Sequence, residues 1–229
     1  MLVDADYSQI ELRVLAHMSG DENMAEAFGE GRDVHTETAA RVFGVPAEMV
    51  SPELRRRAKA VNFGIIYGIG PYSLSQDIGV SVQEASDYIE SYFAGFPKVK
   101  KYLEKTVNEA QEKGYVKTLY GRRRYLPELA ASNKNIQALG KRLAMNTPVQ
   151  GTAADIIKIA MIRVADRLRK ESYDARLILQ VHDELIIECA EEDAQAVAEL
   201  LRYEMEKAAD LRVPLVAEAG VGRNWSDAK

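Results

Sequence analysis

Residues 175–190 set two carboxylates between short runs of branched apolar residues. Leu177–Val181 and Leu185–Ile187 are typical of strands, and Asp183 and Glu184 lie between them. An Asp in such a turn often only caps nearby backbone amides. Alternatively, a tight hairpin presents the two carboxylates as a rigid pair of oxygen ligands, which suit Mg²⁺. The pattern alone leaves both interpretations open.

A third carboxylate closes the first apolar run of the chain. Met1–Asp6 reads as a strand that ends in an acidic residue. The capping-box pattern Ser8-x-x-Glu11 then predicts a helix that begins at Ser8. Glu11 can be explained by that helix start alone, whereas Asp6, placed between an apolar strand and a helix, favours a metal ligand.

The stretch 52–67 predicts an amphipathic helix with a basic and aromatic face. Arg55 and Lys59 stand one turn apart and suit a chain of phosphates, while Phe63 and Tyr67 follow at the next turns and suit a stacked base and sugar. A solvated cationic side of an ordinary helix is the alternative.

His35 lies near a predicted helix start, and its position relative to the other histidines excludes a local metal motif.

The composition indicates a soluble globular protein with one large core or two modest ones. The 229 residues are 47% hydrophobic, and no stretch approaches the roughly 20 apolar residues of a membrane helix. The first residues lack the pattern of a secretory signal. The single cysteine, Cys189, cannot form an internal disulfide, and a buried, inert thiol is expected. We therefore expect a cytoplasmic location.

The charge is unevenly distributed along the chain. The net charge is −5, yet residues 98–142 hold twelve Lys or Arg against four Asp or Glu, and residues 183–218 hold three against eleven. A surface for a polyanion and a region for cations can therefore coexist. Within the basic region, Arg122, Arg123 and Arg124 lie between two tyrosines on a predicted loop or strand edge. This favours contact with a nucleic-acid backbone over a solvated turn.

The remaining elements predict an α+β fold. A small antiparallel sheet comes from the beginning and end of the chain, packed with helices, and a mostly helical excursion is inserted between them. On such a sheet Asp6 and Asp183 can meet. The further predicted elements are helices over 82–93, 97–113, 134–169 (with a possible break at Pro148) and 194–209, and a final strand within residues 213–222, where residues 215–220 alternate.

Three motifs together resemble the polymerase motifs of family A DNA polymerases, of the bacterial DNA polymerase I type. They are Asp6-Tyr-Ser-Gln-Ile-Glu-Leu-Arg13, Arg55-x-x-x-Lys59-x-x-x-Phe63-x-x-x-Tyr67-Gly68, and His182-Asp183-Glu184, in the order of the family. The resemblance implies the palm and fingers of a polymerase hand, with palm at 1–7 and 137–229 and fingers at 8–136. It also implies that the thumb and the nuclease-like domain of the family are missing.

The resemblance implies roles for individual residues. Asp6 and Asp183 would hold two Mg²⁺ ions, assisted by Glu184, and Lys59 would be a proton donor to the leaving group. The residues expected at the incoming nucleotide are Arg55, Lys59, Phe63, Tyr67, Glu11 and His35. The residues expected at DNA are Arg142, Asn146, Gln150, His182, Tyr72, Arg122 and Arg123.

The implied partners are primer–template DNA and deoxynucleoside triphosphates. We expect a monomer that is associated with the bacterial nucleoid and not with a membrane. Two other functions stay open: a fragment that binds nucleotide or DNA without turnover, and a metal-dependent nuclease or phosphatase built on the same carboxylates. The phosphate-and-base pattern of residues 55–67 fits a nucleoside triphosphate better than a site for attack by water.

Overall fold

A computed structural model describes residues 1–229. The chain forms two compact units. The first, unit 1, contains residues 1–14 and 151–229, and the second, unit 2, contains residues 15–150. None of the helices combines the length and the apolar character that crossing a membrane requires.

Unit 1 is built on a four-stranded antiparallel sheet. The strands are β1 (Leu2–Tyr7), β4 (Ala175–Val181), β5 (Glu184–Cys189) and β6 (Ala217–Gly222). Their order in the sheet is β4-β5-β1-β6, so that the first strand of the chain lies between two strands from its last third. The helix α9 (Ala194–Glu206) belongs to the same unit, and the Tyr7 hydroxyl donates to the carbonyl of Met205 over 2.7 Å. The thiol of Cys189 is buried, as expected.

Unit 2 is mostly helical. Polar side chains cap the N-termini of several of its helices. The Ser51 hydroxyl accepts a hydrogen bond from the backbone amide of Leu54, and Ser81 forms a capping box with Glu84. A short hairpin of β2 (Tyr115–Lys117) and β3 (Arg123–Tyr125) is the only sheet of this unit. The helices are α1 (Ile10–Ser19) and α8 (Lys134–Lys170), which both continue into unit 1, and α2 (Glu22–Gly29), α3 (Val34–Phe43), α4 (Pro52–Ile66), α5 (Pro71–Ile78), α6 (Val82–Gly95) and α7 (Pro97–Lys113).

The α+β class is confirmed, the predicted start of the first helix is wrong, and the possible break at Pro148 is absent. The first helix begins at Ile10, not at Ser8, because the Ser8 amide is bound to the carbonyl of Val216 and Gln9 has a φ of 55°, which a right-handed helix cannot contain. The long helix α8 is not broken at Pro148. Pro148 is buried with Val149, and packing offsets the one backbone hydrogen bond that a proline removes.

Candidate active site

The carboxylates of unit 1 are brought together by the pairing of β1 with β5. Asp6 lies directly opposite Glu184 in the antiparallel register, and on its other side it lies opposite Glu218 of β6. The Tyr7 amide donates to the carbonyl of Asp183 over 3.2 Å, which ties the end of β1 to the β4–β5 turn. Opposite residues share a face of a sheet, so three acidic side chains form a row across it.

The turn itself consists of only two residues, His182 and Asp183. His182 adopts the left-handed conformation, with a φ of 51°, and its carbonyl accepts a hydrogen bond from the Gln180 side-chain Nε2 over 2.6 Å. A two-residue turn with a positive φ matches the twist of the strands that it joins. The predicted tight hairpin is therefore present, and Asp183 is the second residue of its turn.

Negative charge is concentrated at this end of the sheet. Burial, followed by the charges of Asp183 and Glu184, raises the pKa of Asp6 to about 6. Burial and a hydrogen bond with Glu184 raise the pKa of Asp4 to about 7. One carboxylate oxygen of Asp4, Oδ1, is buried without a hydrogen-bond partner. The site would therefore gain stability from a nearby positive charge.

Glu184 differs from the expected rigid pair with Asp183. It is the first residue of β5 and is buried, and the indole of Trp225 donates to its Oε1 atom. Burial opposes ionisation of Glu184, but hydrogen bonds with Asp4, Trp225 and Lys229 outweigh it and lower its pKa. The sheet separates Glu184 from Asp183, because Glu184 belongs to a strand and not to the turn, and Trp225 holds its carboxylate.

Four residues of this cluster were not predicted as site residues: Asp4, Glu218, Trp225 and Lys229. The two-residue spacing of Asp4 and Asp6 is a usable signal, since alternate residues of a strand share a face. The contacts of Trp225 and Lys229 with Glu184 come from a segment that follows the last strand, and no spacing in the sequence indicates them.

Helix α4 of unit 2 carries the predicted basic and aromatic face. Arg55, Lys59 and Tyr67 are exposed, and Phe63 is half-buried. The Lys59 ammonium lies 6.0 Å from the centroid of the Phe63 ring, which stacks on Tyr67 at 6.2 Å. Arg55 makes an ion pair with Asp33 over 2.5 Å. Two cations and two stacked rings therefore follow one another along one side of the helix.

His35 lies beside this face but is buried in the core of unit 2. Only 2% of its surface is exposed, and its ring lies 5.8 Å from that of Phe63. Its Nδ1 atom is 2.9 Å from the amide nitrogen of Asn62, whose oxygen accepts from the Thr38 hydroxyl. Burial is the largest cause of the lowering of its pKa to about 4. The imidazole is therefore neutral near pH 7.

The predicted DNA-contacting residues of α8 form one row. Arg142, Asn146 and Gln150 follow at four-residue intervals, and the Asn146 amide donates to Gln150 over 3.1 Å. The turn after α4 packs closely on this helix: a Cβ atom at Gly68 would lie 2.2 Å from the Met145 Cε atom.

The other predicted residues are spread over exposed positions. Arg122 and Arg123 are exposed, and the Arg123 guanidinium lies 4.8 Å from the Tyr115 ring centroid. Tyr72 is 70% exposed at the start of α5. Glu11 is half-buried in α1. The candidate residues thus divide between the units, with Asp6, Glu11, His182, Asp183 and Glu184 in unit 1 and the others in unit 2.

The structure contains no group of three or more His, Cys, Asp or Glu side chains arranged to hold a metal ion. The acidic side chains at the Asp6 end of the sheet are those of Asp4, Asp6, Glu184 and Glu218, which line one cavity, and that of Asp183 in the adjoining turn. Such a donor set suits a hard divalent cation rather than a soft transition metal.

Comparisons with known proteins agree on one family. The family model described as "DNA polymerase family A" matches residues 1–227. The chain is 53% identical over 229 residues to "DNA polymerase I, thermostable" of Thermus aquaticus, of which it spans 27%. It is also 53% identical to "DNA polymerase I" of Geobacillus stearothermophilus, of which it spans 26%.

A solved structure agrees closely with the fold. It is described as the "POL domain of Pol1 from M. smegmatis complex with DNA primer-template and dNTP", and it matches with a TM-score of 0.94 and 46% sequence identity. The match covers 99% of this chain and 40% of that one. This chain therefore spans about a quarter of the length of the curated relatives and less than half of the solved domain.

Proposed function

The chain belongs to DNA polymerase family A, and we propose that it carries the nucleotidyl-transfer site of a DNA-templated DNA polymerase. In this reaction a deoxynucleotide is added to the 3′ hydroxyl of a primer, and pyrophosphate leaves. We assign residues 1–7 and 137–229 to the palm and residues 8–136 to the fingers.

The observation that carries the proposal is the meeting of Asp6 and Asp183. The two residues are 177 positions apart in the sequence, and the pairing of β1 with β5 brings them so close together that the charge of Asp183 raises the pKa of Asp6. Folding has to overcome the repulsion of these like charges, which a purely structural pair would avoid. A site that binds cations explains why the two carboxylates lie together.

Asp6 and Asp183 would hold two Mg²⁺ ions, with Glu184 nearby. Magnesium in proteins is commonly bound by one or two carboxylates together with water and substrate phosphates, so this donor pair fits without a third protein ligand. When bound, the two ions supply activation of the primer hydroxyl and stabilisation of the leaving pyrophosphate. The chain's own contribution is to keep the two carboxylates rigid at the end of a strand and at a two-residue turn.

Helix α4 would bind the incoming nucleotide. Arg55 and Lys59 would neutralise the triphosphate, and Lys59, with an ammonium that can move on its flexible stem, would donate a proton to the departing pyrophosphate. Phe63 and Tyr67 offer flat surfaces for the base and sugar. Glu11 and Tyr67 would line the sugar pocket and disfavour a ribose 2′ hydroxyl, and neutral His35 would contact the phosphates.

The row on α8 would contact the primer–template duplex. Arg142, Asn146 and Gln150, with His182, would bind the minor groove, where the acceptor pattern is nearly the same for all base pairs. A polymerase that copies any sequence needs such contacts. Tyr72, Arg122 and Arg123 would contact DNA from exposed positions, through stacking and through the phosphates.

Primer extension tests this function. The assay uses the purified chain, a primed DNA template, the four deoxynucleoside triphosphates and Mg²⁺. Asp183→Ala should abolish extension because it removes one carboxylate of the pair. Asp174→Ala is the matched control, since Asp174 is an exposed aspartate at the opposite end of the same hairpin, and it should extend primers as the unchanged chain does.

The outcomes separate the candidate functions. Extension by Asp183→Ala at the rate of the unchanged chain would overturn the assignment of the carboxylate pair. If the unchanged chain is folded and binds primed DNA or nucleotide but extends no primer, it is a binding fragment without turnover. Degradation of the primer without extension would support a metal-dependent nuclease.

A further inference from the structure

The segment that follows β6, residues 223–229, lies directly against the sheet. A Cβ atom at Gly220 would stand 2.1 Å from the carbonyl oxygen of Ala228, and one at Gly222 would stand 2.5 Å from the Ala228 amide nitrogen. Gly220 pairs with Asp4 in the register of β6 and β1. The two glycines therefore leave room for this segment on the face of the sheet that carries the acidic residues.

Two side chains of this segment hold both oxygens of Glu184. The Trp225 indole donates to Oε1, and the Lys229 ammonium lies 3.4 Å from Oε2. The same ammonium lies 4.9 Å from the centroid of the Trp225 ring, so the indole also holds the lysine in place. The Glu184 carboxylate is thus fixed in one orientation and carries its own counter-ion.

The charge of Lys229 acts beyond Glu184. Lys229 borders a cavity of about 380 Å³ that is also lined by Asp4, Asp6 and Glu184. Its positive charge lowers the pKa of both Asp4 and Asp6, against the stronger opposite effect of burial and of the neighbouring carboxylates. The ammonium therefore lies close enough to weaken the negative field at the end of β1.

We propose that Lys229, held by Trp225 beside Glu184, is a built-in counter-ion that sets the affinity of the Asp6–Asp183 pair for divalent cations. This inference rests on the proposed function, because it takes that pair as the metal site. Lys229 and Trp225 are positioning residues: they hold Glu184 in place and reduce the local negative charge. A cation that approaches Asp6 meets the repulsion of the ammonium, which keeps its binding moderate and reversible.

Calorimetric titration of the full chain with Mn²⁺, without DNA or nucleotide, tests the inference. Lys229→Met keeps the length of the side chain and removes its charge, and it should lower the Kd for Mn²⁺ by about threefold to tenfold at low ionic strength. Lys229→Arg should restore the Kd of the unchanged chain. Lys170→Met, at an exposed lysine that ends α8 in the same unit, loses the same charge and should leave the Kd unchanged.

Structural damage does not confuse the result, because the Lys229 side chain is 57% exposed and circular dichroism checks the fold of each variant. An unchanged Kd in Lys229→Met, or an equal change in Lys170→Met, would overturn the inference.

Asp183→Asn separates this inference from the proposed function. If Asp183→Asn weakens Mn²⁺ binding while Lys229→Met leaves it unchanged, only the role of the counter-ion fails. If Asp183→Asn leaves Mn²⁺ binding unchanged, the metal assignment fails and the role of Lys229 fails with it.

Discussion

The buried imidazole of His35 should make unit 2 sensitive to mild acid. The Thr38 hydroxyl donates to the oxygen of the Asn62 amide, so the amide nitrogen faces His35 Nδ1 and donates to it. That hydrogen bond requires an unprotonated Nδ1. Asp33 is the acidic group that favours protonation of the ring, whereas Arg55 and Lys59 oppose it along with burial.

The sign and size of the effect follow from proton linkage. The pKa of His35 falls from 6.5 to about 4 on folding, so below pH 6.5 the unfolded chain binds the extra proton and the folded chain does not. Above pH 6.5 His35 causes no loss in the free energy of unfolding. As the pH falls from 6.5 towards 4, the free energy of unfolding decreases because only the unfolded chain takes up the proton. At about pH 4.5 the loss is about 2.5 kcal/mol in the free energy of unfolding.

Two measurements check this prediction. NMR titration of the imidazole protons should show one of the three histidines with a pKa near 4, and its signal should disappear in His35→Gln. Urea unfolding at about pH 7.5 and pH 4.5 should show that His35→Gln, which can still accept from Asn62, loses less stability on acidification than the unchanged chain. A His35 pKa near 6.5, or the same pH dependence in both proteins, would refute the reasoning.

Two substitutions in unit 2 test the surroundings of α4. Lys59→Met should raise the KM for deoxynucleoside triphosphates at least about tenfold, because an ion pair with a phosphate is lost, while the Kd for primed DNA changes little. Steady-state kinetics measures the KM, and a DNA-binding titration measures the Kd. A raised Kd for DNA with an unchanged KM would contradict the assignment of Lys59 to the triphosphate. Gly68→Ala should lower the free energy of unfolding by about 1–2 kcal/mol or more, because Gly68 has a φ of 69° and its Cβ would meet Met145. Gly79→Ala is the control, with a φ of 69° and open space around it, and an equal loss in both variants would show that packing on α8 contributes nothing.

Much of the fold could be predicted because its signals are local. The apolar runs on both sides of Asp183 predicted the hairpin, and the alternation of residues 215–220 predicted the last strand, which runs over Ala217–Gly222. The start of α1 was missed because the hydrogen bond from Ser8 to Val216 spans most of the chain. Helical periodicity gave the Arg55 and Lys59 face of α4.

Burial and tertiary partners could not be predicted in the same way. At about 100° per residue Asn62 shares the broad face of Lys59, yet Asn62 is fully buried because it binds His35 and Thr38 of α3. The burial of His35 depends on that same contact. Likewise, the orientation of Glu184 depends on Trp225, 41 positions away. A periodic sequence pattern predicts contacts only between residues that are neighbours along one element, so it could not predict this one.

The pairing of β1 with β5 also decides when the site can exist during protein synthesis. A ribosome makes Asp183 long after Asp6, so the nascent chain has no carboxylate pair until β5 has left the exit tunnel. Closing the loop of 177 residues between Asp6 and Asp183 costs about 4–5 kcal/mol of chain entropy. Unit 2 is one continuous stretch, residues 15–150, so it can fold first and shorten the distance that the two ends must cover. A prematurely terminated product would therefore contain a folded insertion but no paired carboxylates.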